Sequence, residues 1–495
     1  MTLPKLRTEA GLFEFENTFA RLPGAFYTRL RPTPLPDPYL VTFNPAAAAL
    51  VGLDPMHAGT PEFLKIFSGN TIPPGADPLS AIYAGHQFGT FVSQLGDGRA
   101  ILLGEARGPD DRRWDLQLKG AGRTPYSRTA DGRAVLRSTV REYLCSEAMH
   151  GLGIPTTRAL AITGSDAPVY RETAETSAVL TRMAPCHVRF GSFEVFYHRG
   201  QEEQVRQLAD YLLREHFPEL LAAEKPYVAL LSEIVYRTAE LVARWQSVGF
   251  CHGVMNTDNM SVLGLTIDYG PFGFLDGFDW NHVCNHSDDG GRYAYNRQPS
   301  VAHWNLYCLG QAMLPLMDME EAEAALQRYE AAFDTAYATL MRAKLGLQTA
   351  EDDDAKLIEQ LLALMHISRT DFTIFFRSLS GFDSSSQARN VPLRDQFTDR
   401  EAFDGWARDY QERLGRERSV DAERRERMGR ANPLYVLRNW MAEEAIAQAR
   451  DERDYSVIER LRRLLSTPFD EQKGMGHYAG YPPDWAGQIS VSCSS

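Results

Sequence analysis

The sequence lacks the features of a membrane or secreted protein. No apolar run approaches the roughly 18 residues that a membrane span needs. The first residues, MTLPKLRTEAGLFEFENTF, have no apolar core after a basic segment, so we expect no signal peptide. The net charge of −13 disfavours a nucleic-acid or anionic-membrane partner. Together these absences predict a cytoplasmic protein that binds neither nucleic acid nor membrane.

Cysteine is also scarce, with six residues among 495. None lies in CxxC spacing, so we expect no structural zinc site and interpret most cysteines as buried thiols. Cys493 differs, because it lies in the tail SVSCSS, where little could bury it. The pattern GxxxxGK[ST] is absent as well, which excludes a P-loop ATPase.

The length and the 44% hydrophobic content allow two or three domains. Proline and turn residues dominate residues 1–75, which we interpret as a loop-rich N-terminal extension. Residues 76–200 suggest short strands around one helix, residues 201–465 are mostly helical, and residues 466–495 form a C-terminal tail. The sequence therefore predicts an α+β fold of the protein-kinase-like bilobal type, with a small β-rich lobe before a larger helical lobe.

Individual elements can be predicted from periodicity. RAILLGEA and RWDLQLKG are predicted strands, and the second alternates apolar with polar side chains. GRAVLRSTVREYLCSEAMHGLGI is a predicted helix that ends at Gly151 and Gly153. ALAIT and SAVLTRMA indicate two further strands. EEQVRQLADYLLREHF and LLSEIVYRTAELVARWQSVGF indicate amphipathic helices.

The segment CHGVMNTDNMSVLGLTIDYG, residues 251–270, follows the second of these helices. Protein kinases carry HxDxxxxN and then Asp-Phe-Gly at this point, and His252, Asn259 and Asp268 keep that order. An amide oxygen and a carboxylate suit Mg²⁺ or Mn²⁺, so we predict Asn259 and Asp268 as metal ligands. Val254 stands in place of the kinase base, and Asp258 is the nearest carboxylate that could accept a proton instead.

Residues before this loop could contact a nucleotide. The stretch LGDGRAILLG predicts a hairpin-like turn that contains Gly96, Gly98 and Gly104, where backbone N–H groups can approach phosphate, with Arg99 beside it. Lys119 ends a predicted strand and Glu142 lies on the next helix, the order in which a kinase pairs a phosphate-binding Lys with Glu. Each of these features has an ordinary alternative when it is taken alone: the glycines could form a simple hairpin, Lys119 could be exposed at a strand end, and Glu142 could be a solvated helix residue.

Arg182 and Arg189 follow the predicted strand SAVLT, near the place where a kinase hinge binds adenine. Guanidinium groups match phosphate oxygens with paired hydrogen bonds. If both point into the cleft, the triphosphate lies where adenine usually sits, and the nucleotide presents its α-phosphate to the metal and the base. The alternative is that they lie on the surface or bridge the lobes.

Four stretches resemble the selenoprotein O family, known in bacteria as the YdiU family. They are YAGHQFGTFVSQLGDGRAILLGE, WDLQLKGAGRTPYSRTADGRAVLRSTVREYL, GFCHGVMNTDNMSVLGLTIDYGPFGFLD and NPLYVLRNWMAEEAI. The resemblance covers nearly the whole chain. It implies a kinase-like fold without the usual catalytic Asp, and transfer of AMP from ATP to protein hydroxyl groups with the nucleotide in a flipped orientation.

The resemblance also assigns roles to residues. It implies that ATP is surrounded by Gly96, Gly98, Arg99, Lys119, Asp131, Gly132, Arg182, Arg189 and Asp268. Asp258 would accept the proton, and Asn259 and Asp268 would hold the metal. Taken without the resemblance, Asp131 and Gly132 indicate only a helix-capping turn. Eukaryotic members carry a selenocysteine near the C-terminus, so the resemblance further suggests a redox role for Cys493, with Cys284 as its disulfide partner.

We therefore expect a protein adenylyltransferase that acts on Ser, Thr or Tyr hydroxyl groups, its own included, with UMP transfer from UTP as a variation. A phosphotransferase that uses Asp258 as a relocated base is one alternative. The other is a pseudokinase scaffold that binds ATP without catalysis. Val254 is what a scaffold predicts, whereas retention of both Asn259 and Asp268 argues against it.

Overall fold

A computed structural model describes residues 12–492 of the chain, which form eleven β-strands and sixteen α-helices. The strands are β1 Tyr27–Arg29, β2 Tyr39–Phe43, β3 Leu79–Gln87, β4 Thr90–Gly96, β5 Ala100–Arg107, β6 Arg113–Lys119, β7 Ala134–Val135, β8 Arg158–Tyr170, β9 Ala174–Ala184, β10 Phe250–Cys251 and β11 Gly273–Phe274. The helices are α1 Pro45–Leu50, α2 Pro61–Phe67, α3 Leu136–Gly151, α4 Phe190–Tyr197, α5 Glu202–Glu215, α6 Pro226–Ser247, α7 Gln298–Met313, α8 Met319–Leu326, α9 Arg328–Lys344, α10 Asp354–Ser368, α11 Phe372–Leu379, α12 Val391–Arg394, α13 Arg400–Arg416, α14 Asp421–Ala431, α15 Asn439–Asp451 and α16 Ser456–Ser466.

Nine of the described strands form one antiparallel sheet in the order β1-β3-β5-β6-β9-β8-β2. Strand β4 adds to β3, and β7 adds to β9. Helices α1 and α2 pack on one face of this sheet, and α3 packs against β7, β8 and β9. Strands β10 and β11 form a separate short pair beside the segment that contains Asn259. The result is a β-sheet lobe followed by a helical region.

The alternation predicted for β6 is confirmed. Leu116 and Leu118 are fully buried in the apolar cluster with α1 and α2. Gln117 and Lys119 point to the opposite face, as successive side chains of a strand must, and Lys119 pairs there with Glu142 of α3. The apolar face therefore anchors the strand, while its polar face is available to a functional site.

Residues 12–75 differ from the loop-rich extension that the sequence predicts over residues 1–75. They supply β1 and β2, at the two ends of the strand order, and the helices α1 and α2. Pro45 and Pro61 are the first residues of these helices, where proline is well tolerated because its missing N–H would have no partner. Asn44 and Thr60 cap them with side-chain oxygens. Proline here marks helix starts rather than loops.

Other predicted elements lie close to their expected places. Strand β5 and helix α3 match within a few residues, and the two short strands predicted after α3 extend into the longer hairpin of β8 and β9. Gly104 is the exception, because it lies at a bulge inside β5 rather than in the glycine turn. A Cβ at this position would lie 2.3 Å from Asn17 Oδ1. Gly104 therefore makes room for the N-terminal segment and not for a ligand.

The last helices of the helical region pack against the β-sheet lobe. Helices α15 and α16 pack against α3, the helix that carries Glu142. A separate apolar cluster, which includes Leu361, Phe375 and Trp406, joins α9 to α14. Over residues 12–492, no helix combines the length and the apolarity that crossing a bilayer requires.

Candidate active site

A cavity of about 660 Å³ lies between the sheet, helix α3 and the loop around Asn259. The predicted site residues that line it are Gly96, Gly98, Arg99, Lys119, Asp131, Gly132, Glu142, Arg182, Asp258, Asn259 and Asp268. Arg189 reaches the same place from the start of α4, where it contacts Asp268. Val254 lines the cavity too. The fold thus brings together side chains that are far apart in the sequence.

Asp268 is the electrostatic centre of this cavity. Arg182 donates to its Oδ1, Arg189 donates to its Oδ2, and Lys119 Nζ lies 3.6 Å from Oδ1. Its backbone is in the left-handed region, with φ of 56°, which is uncommon for a residue other than glycine and recurs at functional sites. Three cations therefore converge on one partly buried carboxylate, whose side chain is 19% exposed.

Burial alone would raise the pKa of Asp268, but Arg182, Arg189 and Lys119 hold it well below its usual range. The carboxylate is therefore ionised at every working pH. Burial lowers the pKa of Lys119, which Glu142 and Asp268 oppose. Glu142 also accepts from Arg182 at 3.3 Å. This connected network explains how one wall of the cavity can carry three positive charges.

Asp258 has a different environment. It lies in a short 3₁₀ turn, Thr257–Asn259, and its Oδ2 accepts from Gln87 Nε2 at 3.2 Å. Its Oδ1 is buried without a hydrogen-bond partner among residues 12–492. Burial raises the pKa of Asp258 to about 6, although Arg189 opposes the rise. A buried, unsatisfied carboxylate oxygen beside a cavity is an acceptor ready for an incoming hydroxyl group.

Gly85 makes this position possible. A Cβ there would lie 2.7 Å from Oδ1 of Asp258 and 3.1 Å from its backbone N, so only glycine lets β3 approach the turn so closely. The next residue but one, Gln87, supplies the hydrogen bond to Asp258. Sequence reasoning missed both residues, although they lie in YAGHQFG, a stretch that carries the family resemblance.

Asp97 was also missed. It lies between the two predicted glycines of the turn, is buried, and accepts from the amide of Ala81 at 3.2 Å and from Gln117 at 3.1 Å. Its carboxylate lies 3.9 Å from Arg189, and burial raises its pKa despite this arginine. Asp97 therefore helps to hold Arg189 in place. An acidic residue inside the glycine turn was the signal that could have found it.

The outer part of the cavity is more exposed. Asp131 forms two hydrogen bonds with Arg171, of 2.9 and 3.0 Å, and accepts from the amide of Arg133. Hydrogen bonding to Arg171 lowers the pKa of Asp131. Gly132 has φ of 71°, and a Cβ there would lie 2.2 Å from the Gly122 carbonyl oxygen. Asp131 thus shapes a turn, and two arginines missed from the sequence, Arg133 and Arg171, add positive charge to this end.

Asn259 and Asp268 are the side chains that fit a hard divalent cation. Asn259 Nδ2 donates to the Val254 carbonyl at 2.9 Å, which leaves its amide oxygen as the group for a metal. Both oxygens of Asp268 are held by arginines, as above. A cation at this position would therefore share Asp268 with the arginines or displace them. The donor set, one amide oxygen and one carboxylate, fits Mg²⁺ or Mn²⁺.

Cys284 lies behind the cavity rather than in it. Its Sγ donates to the Pro271 carbonyl at 2.9 Å, and burial raises its pKa well above the usual range. Pro271 follows the segment that contains Asp268, so Cys284 contacts the end of the candidate metal loop. Cys493 lies outside the described residues, and its pairing with Cys284 stays a prediction of the resemblance.

Comparison with known proteins decides the family. The family model described as "Protein adenylyltransferase SelO" matches residues 11–466. The chain belongs to the SelO family. It is 58% identical over 481 residues to a protein of Thiobacillus denitrificans, covering 97% of this chain and 98% of the relative. A Thioalkalivibrio sulfidiphilus protein is 56% identical over 488 residues, covering 97% and 99%. A Myxococcus xanthus protein is 55% identical over 481 residues, covering 97% and 98%.

All three relatives are named "Protein nucleotidyltransferase YdiU". The SelO-family chain is therefore an enzyme of the nucleotidyltransferase class, a protein adenylyltransferase. This confirms the family and the enzyme class that the motifs predict. The enzyme class also argues against the alternative of a pseudokinase scaffold without catalysis, which Val254 taken alone would favour.

Proposed function

We propose that this chain transfers AMP from ATP to Ser, Thr or Tyr hydroxyl groups of target proteins and releases pyrophosphate. The observation that carries the proposal is the pairing of two unlike carboxylates at one cavity. Asp268 is surrounded by cations, and Asp258 has a free acceptor oxygen. A phosphate-binding region and a proton acceptor are the two parts that such a transfer needs.

The order of parts supports a kinase-like arrangement. Lys119 on a sheet strand pairs with Glu142 on the following helix, and Asn259 and Asp268 come from the loop after the helical α6. In this proposal the β-rich lobe comprises residues 76–200 and the helical lobe residues 201–465. Residues 12–75 add strands and helices to the first lobe, and residues 466–495 would be the tail.

Arg182 and Arg189 favour an inverted nucleotide. Both are buried, 2% and 1% exposed, and both point to Asp268 rather than to solvent. Buried guanidinium groups match a triphosphate with paired hydrogen bonds and offer adenine no acceptor. The β- and γ-phosphates would therefore lie deep, against these arginines and Lys119, which leaves the α-phosphate near Asp258.

The residues then divide the reaction between them. Asp258 accepts the proton of the target hydroxyl group, whose oxygen bonds to the α-phosphorus while the bond to the β-phosphate oxygen breaks. Lys119, Arg182 and Arg189 hold the departing pyrophosphate, and Glu142 orients Lys119. Asn259 and Asp268 would hold Mg²⁺ or Mn²⁺, which neutralises phosphate charge when bound. Gly96, Gly98, Arg99, Asp131 and Gly132 would border the nucleotide.

Intact-mass spectrometry tests the proposal. The purified chain is incubated with ATP and Mg²⁺ or Mn²⁺, alone and with a generic protein acceptor, and Asp268→Ala is the control. An AMP-sized increment that the control lacks is expected, on the chain itself or on the acceptor, and fragmentation assigns the hydroxyl group. UTP in place of ATP tests UMP transfer. A phosphate-sized increment would instead mean an ordinary nucleotide orientation with a relocated base.

A redox role for the tail is a further part of the proposal that rests on the resemblance. A disulfide between Cys284 and Cys493 would close a loop across the candidate metal segment, because Cys284 contacts Pro271. Peptide mapping of the oxidised chain tests it. A peptide that joins these two cysteines, absent after reduction, is expected.

A further inference from the structure

Three metal-ligating side chains converge on the side of β3 away from Asp258. His86 is the residue before the last in β3, Glu194 lies in α4 and Cys308 lies in α7. Their ligand atoms all lie within 4.8 Å of one another, and His86 Nδ1 is 3.0 Å from Glu194 Oε1. The Glu194 side chain is fully buried. A buried carboxylate needs a positive partner, and no lysine or arginine forms an ion pair with it among the described residues.

We propose that His86, Glu194 and Cys308 bind a thiophilic divalent cation, for which Zn²⁺ is the best match. Thiolate, imidazole and carboxylate are the ligands that Zn²⁺ takes in proteins, whereas Mg²⁺ avoids sulfur. Bonds of about 2.0–2.3 Å in a tetrahedron place ligand atoms about 3.3–3.8 Å apart. The three atoms therefore need to move by about 1 Å or less to reach that geometry. This site is separate from Asn259 and Asp268.

His198 lies within reach as a fourth ligand. It follows Glu194 by four residues, so it lies one helical turn further along the same side. Its ring centroid is 6.2 Å from that of His86, and the residue is exposed. A rotation of this side chain, or a water molecule, would complete four-coordination. The His86 side chain is itself 15% exposed, so solvent reaches this end of the cluster.

The site is coupled to the candidate catalytic turn. Glu194 uses Oε2 to accept from Thr257 Oγ1 at 2.7 Å, and the same Thr257 oxygen accepts from the His86 amide at 2.7 Å. Thr257 directly precedes Asp258. A cation on His86 and Glu194 would therefore fix the turn that positions Asp258. Occupancy should stabilise the fold and change the turnover rate more than the affinity for ATP.

The cysteine spacing predicted no zinc site, and the reason is topological. Spacing rules find sites whose ligands lie close together in sequence, while these three ligands come from widely separated segments.

Titration of the full-length, chelator-treated chain with Co²⁺ tests the proposal, because thiolate ligation gives a charge-transfer absorption that other ligands lack. We expect one equivalent to produce this band and Zn²⁺ to abolish it. Cys308→Ser should lose the band, and His86→Ala should weaken binding by tenfold or more. Asp268→Ala and Cys145→Ser, in which a buried cysteine of α3 is changed, should keep it. A band that survives in Cys308→Ser would overturn the assignment.

A second measurement does not depend on any variant folding. X-ray absorption at the zinc edge of the Zn²⁺-loaded wild-type chain should show one sulfur among nitrogen and oxygen ligands. A shell of nitrogen and oxygen alone, or the absence of stoichiometric Zn²⁺ after dialysis, would overturn the proposal. Neither result decides whether the chain transfers nucleotides, because His86, Glu194 and Cys308 lie outside the cavity that Asp258 and Asp268 line.

Discussion

Asp258 and Asp268 are ten residues apart on one segment and line one cavity, but their electrostatic environments shift their pKa values in opposite directions. Asp268 has two arginines and a lysine around it, which hold its pKa well below the usual range against the effect of burial. Asp258 has one side-chain hydrogen bond and one buried oxygen without a partner, and burial raises its pKa to about 6. Identical side chains thus acquire different chemistry from their neighbours alone.

The difference indicates a division of roles. A carboxylate that cannot be protonated is suited to hold a cation permanently, whereas one with a pKa near neutrality can exchange a proton during each turnover. Asp258 should also lower the stability of the fold, because a buried carboxylate oxygen without a hydrogen-bond partner is destabilising. The following predictions test this contrast, beginning with the largest expected effect.

Replacement of Asp268 should abolish activity. Asp268→Ala removes the proposed metal-binding carboxylate and leaves Arg182 and Arg189 without their common partner, so AMP transfer should fall by about 10³-fold or more. The rate of radiolabelled AMP incorporation measures this. Asp268→Asn serves as the matched variant, because it keeps the shape and removes the charge. Transfer at the wild-type rate in either variant would contradict the metal-ligand role.

Replacement of Asp258 should remove the proposed proton acceptor without disturbing the basic side chains around Asp268. Asp258→Asn keeps the hydrogen bond from Gln87, and kcat should fall by about 10²–10⁴-fold while ATP affinity changes little. Single-turnover rates measure the fall in kcat, and equilibrium binding measures the affinity for ATP. Activity that stays within a few fold would show that another group, or water, accepts the proton.

The two Asn variants should shift stability in opposite directions. The folded chain holds the Asp258 proton more tightly than the unfolded chain, so this group's contribution falls as pH rises from about 4 to about 6 and is unfavourable above it. Removal of the charge in Asp258→Asn should therefore stabilise the metal-free chain at pH 7, by up to about 3 kcal/mol. Denaturant unfolding at pH 5 and pH 7 measures the gain, which should be smaller at the lower pH.

Asp268→Asn should destabilise the chain at pH 7, by about 3–5 kcal/mol, because buried arginines lose their counter-charge. The depressed pKa of Asp268 contributes stability that is fully present at pH 7 and is lost only in acid, so this loss should be the same at pH 6 and pH 8. Two variants that change stability in the same direction would refute the contrast.

Loss of Gln87 should have the smallest effect. Gln87 hydrogen-bonds Oδ2 of Asp258 and lowers its pKa, so Gln87→Ala should reduce kcat by about tenfold and leave the KM for ATP unchanged. Activity of the wild type should fall as pH drops below about 6, and the variant should lose activity at a higher pH. Gln87→Glu is unsuitable as a control because it adds charge, whereas Gln94→Ala, on the neighbouring strand, is a suitable one. An unshifted profile would reduce Gln87 to a structural role.

The site could be predicted wherever function depends on local spacing. Lys119 and Glu142 pair as their positions on a strand and the next helix indicate. The sequence suggested that Arg182 and Arg189 could point into the cleft, but it did not predict that both contact Asp268. A position near a kinase hinge does not specify which carboxylate an arginine meets. Gln87 could not be chosen from sequence, because its partner Asp258 lies on another element. Asp97 could have been found from its place in the glycine turn, but its partner Arg189 could not.

By itself the sequence determined the family, the order of a β-rich part before a helical part, and the residue types of the cavity. These depend on periodicity and spacing, which act over a few residues. Tertiary structure decided that residues 12–75 supply the two end strands of the sheet. It also decided that cations surround Asp268 but not Asp258, and that His86, Glu194 and Cys308 meet. Charge and burial act through space, so they depend on which distant segments the fold brings together.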